Sequence, residues 1–177
     1  FMEFLKNDLV IVNPLKIKRW IIDELEASMV LYFIGASRSS AAIIDQQKKN
    51  TSSGNEKAIE AMHKIKQSAI DMKQALLKGD MKEFSRILGE GWENKKKMAD
   101  NITNSMIQEV FDLAISAGAV AGKVSGAGGG GFVMLMVEPT RKKELINALK
   151  KLNGFVMPFH FTEGGAHGWK IYSTNKV

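Results

Sequence analysis

The segment Lys123-Val124-Ser125-Gly126-Ala127-Gly128-Gly129-Gly130-Gly131-Phe132 sets the tightest limit on what this chain can become. Five of the six residues from 126 to 131 are glycine. An ordered glycine costs about 0.5–1 kcal/mol relative to alanine, so the run forgoes about 2.5–5 kcal/mol. That is a large share of a typical total stability of about 5–15 kcal/mol. A plain hairpin turn needs only one or two glycines. Five of them point to a backbone that a ligand or another loop approaches closely, so a bulky residue at Gly128 is expected to hurt activity far more than folding.

Two known phosphate loops do not fit the segment. Gly126, Gly128 and Gly131 satisfy G-x-G-x-x-G, but that fingerprint follows a strand and opens a helix. Here the pattern reads as a helix before the glycines and a strand after them. Gly118 to Lys123 is one residue short of a Walker A loop, and Val124 stands where its hydroxyl belongs.

The rest of the pattern supplies the frame. The β-branched apolar run over residues 9–15 predicts a strand, residues around Trp20, Ile21 and Leu25 a short helix, and residues 29–34 a second buried strand, together a βαβ unit. An amphipathic helix is expected over 57–77, with Gly79 as its C-terminal cap and Asp80 to Glu83 as the capping box of the next helix. That next helix carries Phe84, Ile87, Leu88 and Trp92, with Gly89 and Gly91 suggesting a kink or close packing. A third runs from Met106 to Ile115 and stops at Gly118. Strands follow over 132–137, 155–161 and 169–172, with a helix through Leu145, Leu149 and Leu152 between the first two. Residues 50–55 read as a loop. Two βαβ halves separated by helices give an α+β fold, a ferredoxin-like split βαβ sheet with an inserted helical layer, in a single domain over 1–177.

Composition narrows the function. The chain has 25 basic and 19 acidic residues, a net charge of +6, scattered over Lys48, Lys49, Lys95 to Lys97, Arg141 to Lys143, Lys150 and Lys151. Scattered charge reads as solvated helix faces, and as a field that favours small anions such as phosphate. There is no cysteine, hence no disulfide or thiolate metal site, which fits the cytoplasm. No apolar run is long enough to span a membrane, and no secretion signal is visible at the start.

KVSGAGGGGF, opening a strand, resembles the third conserved motif of the GHMP family of small-molecule kinases. The stretches NPLKIKRWIIDELE, SRSS, GEGWENKKKM and GGAHGWKIY extend the likeness to members acting on sugar phosphates, over nearly the whole chain. The resemblance implies the C-terminal half of such an enzyme, with ATP- and Mg²⁺-dependent transfer to a sugar hydroxyl, here the anomeric one of a heptose phosphate. It places Ser125, Gly126, Ala127, Gly128, Gly129, Gly130 and Gly131 against the phosphate and substrate region. It assigns the nucleotide loop, of the form PxxxGLGSSAA, and the catalytic acid to an N-terminal domain. Neither is found here: Gly35 to Ala42 has an extra residue and places Arg38 where glycine is needed. No catalytic residue, metal ligand or cofactor-binding residue is therefore assigned within these residues.

Ser37, Arg38 and Ser39, between a strand and a helix, read either as ordinary capping or as an anion site for the phosphate of the substrate. The likeness also places Trp92 and Asn94 near the substrate, against a plain reading as a core tryptophan beside solvated lysines. His63, His160 and His167 read as surface or internally satisfied histidines. The competing class is a ferredoxin-like module binding a small effector or RNA. Gly131-Phe132-Val133 matches the middle of an RNA-recognition strand, but Gly128, Gly130 and Leu135 replace its basic and outer aromatic positions. No nucleic-acid or membrane partner is expected. A third reading keeps the kinase and changes the acceptor to a simple hexose or mevalonate.

Overall fold

A computed structural model describes residues 1–35 and 40–170. The chain opens with an antiparallel hairpin, β1 (Met2–Phe4) and β2 (Val10–Val12), whose strand residues are all exposed. α1 (Arg19–Ser28) and β3 (Met29–Phe33) follow, then α2 (Ser40–Ser52), α3 (Glu56–Lys78), α4 (Met81–Lys96) and α5 (Ser105–Ser116). β4 (Ala119–Val124), β5 (Phe132–Val137), α6 (Lys142–Leu149) and β6 (Phe155–Met157) complete the described elements.

The main sheet has the order β4-β5-β3-β6, with every adjacent pair antiparallel. β3 and β4 therefore run parallel on either side of β5, and β5 and β6 run parallel on either side of β3. These are two interleaved split βαβ units, the expected ferredoxin-like arrangement, with α2 to α5 inserted between β3 and β4. The pleat sends successive side chains to opposite faces. Val133, Leu135 and Val137 join Ile107, Val110 and Ala114 of α5 and Leu145 and Leu149 of α6 in one core. Met134 and Met136 meet Leu25, Ala75, Phe84, Ile87 and Leu88 on the other face.

The helix ends follow local chemistry. Asn55, Asp80 and Asn104 each accept a hydrogen bond from a backbone N–H three residues on, at 2.9–3.1 Å, which satisfies a donor that the helix itself leaves unpaired. Gly79 closes α3 in the left-handed conformation at φ +74°. Gly89 and Gly91 do not break α4, which is continuous from Met81 to Lys96. A side chain added at Gly89 would sit 3.4 Å from Ala121 Cβ, so close packing of α4 on β4 is its reason.

Several strand expectations are corrected. The run over 9–15 contributes only Val10 to Val12, and pairs with Met2 to Phe4 instead of entering the main sheet. An apolar β-branched run fits any pleated strand, and nothing in it names its partner. β4, just past the expected helix end at Gly118, was assigned to no strand; its Ala-Val-Ala-Gly-Lys-Val sequence carries small side chains and an internal glycine, which mask a strand. β6 ends at Met157, before Pro158, which has no N–H to donate to a ladder. Trp169 and Lys170 are not in a strand, and residues 171 and 172 lie outside the described residues. Residues 50–52 finish α2, leaving only 53–55 as the connection.

After β6 the chain is tied back to α1. Glu26 accepts hydrogen bonds from the Phe161 N–H at 2.7 Å and faces His160 Nδ1 at 3.1 Å. The Phe161 N–H, then His160, hold the Glu26 carboxyl below its ordinary value. A depressed carboxylate stabilises the fold above its unfolded value and stops doing so as pH falls through its folded one. The protection factor at Phe161, exchange being referred to the intrinsic rate at each pH, should therefore fall as pH drops through the lowered Glu26 value in the native protein, and Glu26→Gln should lower it at neutral pH. Protection at Phe161 that ignores both changes would remove this tether. No helix among the described residues is long and apolar enough to cross a membrane.

Candidate functional site

The glycine run is a hairpin connection between β4 and β5, so a strand, not the expected helix, precedes it. The dinucleotide fingerprint still fails, because a strand follows. Ser125 N donates to Phe132 O at 2.8 Å and closes the base of the loop, and Ile34 N donates to Gly131 O at 2.9 Å. All five glycines from 126 to 131 have positive φ, a region that side chains enter only with strain.

The loop has an inner and an outer half. Gly128, Gly129 and Gly130 are buried, whereas Ser125 and Gly126 are exposed and Ala127 and Gly131 are intermediate. Two residues clamp the inner half. Gly129 N donates to Ile102 O at 2.8 Å, and Asn104 Nδ2 donates to Gly129 O at 3.1 Å. Asn104 is a double fixture, since its Oδ1 also caps α5 through Ile107 N at 2.9 Å. A Cβ on Gly128 would lie 2.7 Å from Ile102 O, so the backbones touch where only glycine fits. Sequence reasoning missed this clamp, although Asn104 ahead of the apolar helix from Met106 is a legible capping signal.

Asn104→Ala should destabilise the chain by about 1.5–3 kcal/mol, the sum of a lost cap and a lost hydrogen bond. Asn104→Asp keeps the cap acceptor and loses only the donor to Gly129, so it should cost less while still loosening the loop. Urea unfolding with amide exchange at Gly129 separates the two. An alanine variant as stable as wild type would contradict the clamp.

On the outer side, Lys95 Nζ donates to Gly126 O. Lys95 was expected to be solvated; it is half-buried, and with Lys123 it lines a cavity of about 290 Å³ between α3, α4 and β4. Burial lowers the Lys95 ammonium from its ordinary value, with the Lys123 charge adding to this, and burial lowers Lys123. Trp92 also lines this cavity, but it is buried and stacks on Phe111 with ring centroids 5.7 Å apart and planes 6° apart. Asn94 accepts from Lys97 Nζ at 3.2 Å. The structure thus brings Lys95, Lys123 and Trp92 together beside Gly126, and sets Asn94 on the same helix. Ser37, Arg38 and Ser39 lie outside the described residues. His160 meets Glu26, His167 Nε2 lies close to Gly164, and His63 is exposed on α3. Among the described residues no group of three or more histidines and carboxylates could hold a metal.

Comparison with known proteins agrees with this architecture. The family model for the C-terminal domain of GHMP kinases matches residues 72–153, which span α4, α5, the glycine hairpin and α6. The chain is 47% identical over 171 residues to D-glycero-alpha-D-manno-heptose 7-phosphate kinase of Campylobacter jejuni, covering 97% of this chain and 50% of that protein. It therefore spans half the length of that relative. A crystal structure of a D-glycero-D-manno-heptose 1-phosphate kinase from Bacteroides thetaiotaomicron superposes with a TM-score of 0.69 at 60% identity, over 97% of this chain and 45% of the other. L. major mevalonate kinase shares the fold at 15% identity, with a TM-score of 0.69 over 82% of this chain and 43% of its own. A hairpin of five positive-φ glycines on a split βαβ sheet, in a chain with these relatives, belongs to the GHMP kinases, and the chain carries their C-terminal domain.

Proposed function

We propose that this chain is the acceptor-side half of an ATP- and Mg²⁺-dependent kinase that phosphorylates the anomeric hydroxyl of D-glycero-D-manno-heptose 7-phosphate in the cytoplasm. The observation that carries the reading is identity of 47% with a heptose 7-phosphate kinase along nearly the whole chain, glycine hairpin included. Phosphoryl transfer asks little covalent chemistry of a protein; it asks for positioning and for donors aimed at phosphate oxygens. The outer half of the hairpin can supply these through the Ser125 hydroxyl and the N–H groups of Gly126 and Ala127, while Ile102 and Asn104 hold the inner half still. Gly128 to Gly131 then serve by fixing the path of the backbone. Ser37, Arg38 and Ser39 remain the reading for the sugar's own phosphate, with Trp92 and Asn94 on α4 as further candidates near the substrate.

The nucleotide loop and the catalytic acid belong in this reading to an N-terminal domain outside these 177 residues. Among the described residues no group of three or more histidines and carboxylates is placed to hold Mg²⁺. The test is ATP turnover by the full-length protein with a panel of acceptors. Heptose 7-phosphate should support turnover, while heptose 1-phosphate, galactose and mevalonate should not, and the 177-residue chain alone should transfer nothing. Turnover that prefers another acceptor would replace the heptose, and turnover by the chain alone would overturn the division into halves.

A further inference from the structure

The cavity between α3, α4 and β4 is built from two unlike parts. Its walls are mostly apolar, from Ile65, Ala69, Met72, Ile87, Leu88 and Met98, and the Ser68 hydroxyl beside them already donates to Lys64 O at 2.9 Å. Lys95 and Lys123 line the same space. Among the described residues neither lysine forms an ion pair with a carboxylate, although Lys64, Arg86, Lys96 and Arg141 all do. Half-burying a charge without a counter-charge is costly, and two like charges side by side add to that cost. A fold that keeps both ammoniums there, against an apolar wall and beside the glycine hairpin, is arranged for an anion that arrives from outside.

We propose that this cavity binds a small phosphate monoester with an apolar body, its head group between Lys95 and Lys123 and its body against Ala69, Met72 and Leu88. The charge count favours phosphate over carboxylate, because a dianion compensates both ammoniums and a monoanion only one. The wall disfavours a sugar body, whose hydroxyls would lose water without gaining partners. Its volume of about 290 Å³ suits a ligand at the small end of the usual range. The head group would lie next to the hairpin, since Lys95 already donates to Gly126 O. Burial holds both ammoniums below their ordinary value, and an anion there would shift them back toward it. The site is independent of the acceptor proposed above.

The experiment is calorimetric titration of the full-length protein with n-hexyl phosphate, inorganic phosphate, hexanoate and glucose 6-phosphate. Each buried methylene is worth about fourfold in affinity, so hexyl phosphate with about three of its methylenes buried should bind about 60-fold more tightly than inorganic phosphate. Hexanoate should bind more weakly than hexyl phosphate, and glucose 6-phosphate no better than inorganic phosphate. Lys95→Met and Lys123→Met should each weaken hexyl phosphate by about 10-fold or more. Ala69→Leu narrows the cavity without touching either charge, and should weaken hexyl phosphate while leaving inorganic phosphate unchanged; it carries the test if a lysine variant does not fold. Equal affinity for hexyl and inorganic phosphate, preference for the sugar phosphate, or hexyl phosphate affinity that survives these substitutions would overturn the site.

Discussion

Replacing Gly128 with valine is expected to cost the folded chain about 3 kcal/mol, lowering its melting temperature by roughly 6–12 °C. Gly128 sits at φ +110°, and an added Cβ would meet Ile102 O at 2.7 Å and Ile102 Cγ2 at 2.9 Å. The carbonyl cannot step aside, because it accepts from Gly129 N at 2.8 Å. This revises the expectation from sequence that activity would suffer far more than folding. The residue that separates the two roles is Gly126, at φ +69° with nothing within 4 Å of an added Cβ. Gly126→Ala should cost only about 1–2 kcal/mol of backbone strain. In the full-length enzyme it should still lower kcat/KM by about 10-fold or more, if the Gly126 N–H meets a phosphate oxygen. Thermal melts of both variants beside steady-state kinetics decide the matter. A Gly128→Val protein that melts with wild type would remove the inner clamp, and an unimpaired Gly126→Ala enzyme would make the loop purely structural.

Gly154→Ala is expected to be the most damaging single methyl group in the sheet, at about 3–5 kcal/mol. Its Cβ would collide with the Phe33 carbonyl oxygen and lie 2.5 Å from Cζ and the hydroxyl of Tyr32. Both belong to β3, the strand that pairs with β6 through Leu31–Met157 and Phe33–Phe155. Gly154 N also donates to the Tyr32 hydroxyl at 2.8 Å, and Tyr32 is buried. Tyr32→Phe removes that acceptor without adding bulk, and should cost about 1–3 kcal/mol. Denaturant unfolding of the two variants should rank alanine at 154 as clearly worse. The reverse order would mean that β6 can shift to make room, and that the Tyr32 hydrogen bond matters more than the close approach.

Helices were legible where periodicity and caps coincide. Asp80 with Glu83, and Gly79 behind Leu76, mark the α3–α4 junction by chemistry that acts within a few residues. β5 was equally plain, because Phe-Val-Met-Leu-Met-Val is buried on both faces and reads as one apolar run. β4 was not, because Ala119, Ala121 and Gly122 are small for reasons that appear only in three dimensions. A Cβ on Gly122 would meet Met134 O and Leu135 Cδ2, both at 2.8 Å, and Ala121 lies beneath Gly89 of α4. Missing that strand made the glycine run look like a helix-to-strand loop. The split βαβ order could still be named, because it follows from the count and spacing of buried strands, but the wrong strand was placed in it.

The site was legible in its glycines and obscure in its supports. Glycine spacing marks the hairpin within the chain. The Ile102 carbonyl, the second hydrogen bond of Asn104 and the Lys95–Gly126 contact depend on segments brought together from 25 to 31 residues away. Lys95 in particular sits in Lys95-Lys96-Lys97, where composition suggests solvent. Of the three, Lys96 pairs with Glu93 at 2.7 Å and Lys97 is exposed, whereas Lys95 turns to the cavity.

The position of the transferred phosphate tests the central claim most directly. The relatives' names agree on a heptose monophosphate and differ in which carbon bears its phosphate. Full-length protein with ATP, Mg²⁺ and D-glycero-D-manno-heptose 7-phosphate should yield a bisphosphate whose new ³¹P resonance couples to the anomeric proton, with one ADP formed per product. ADP released without that resonance, or a new phosphate coupled to any other carbon-bound proton, would contradict transfer to the anomeric hydroxyl.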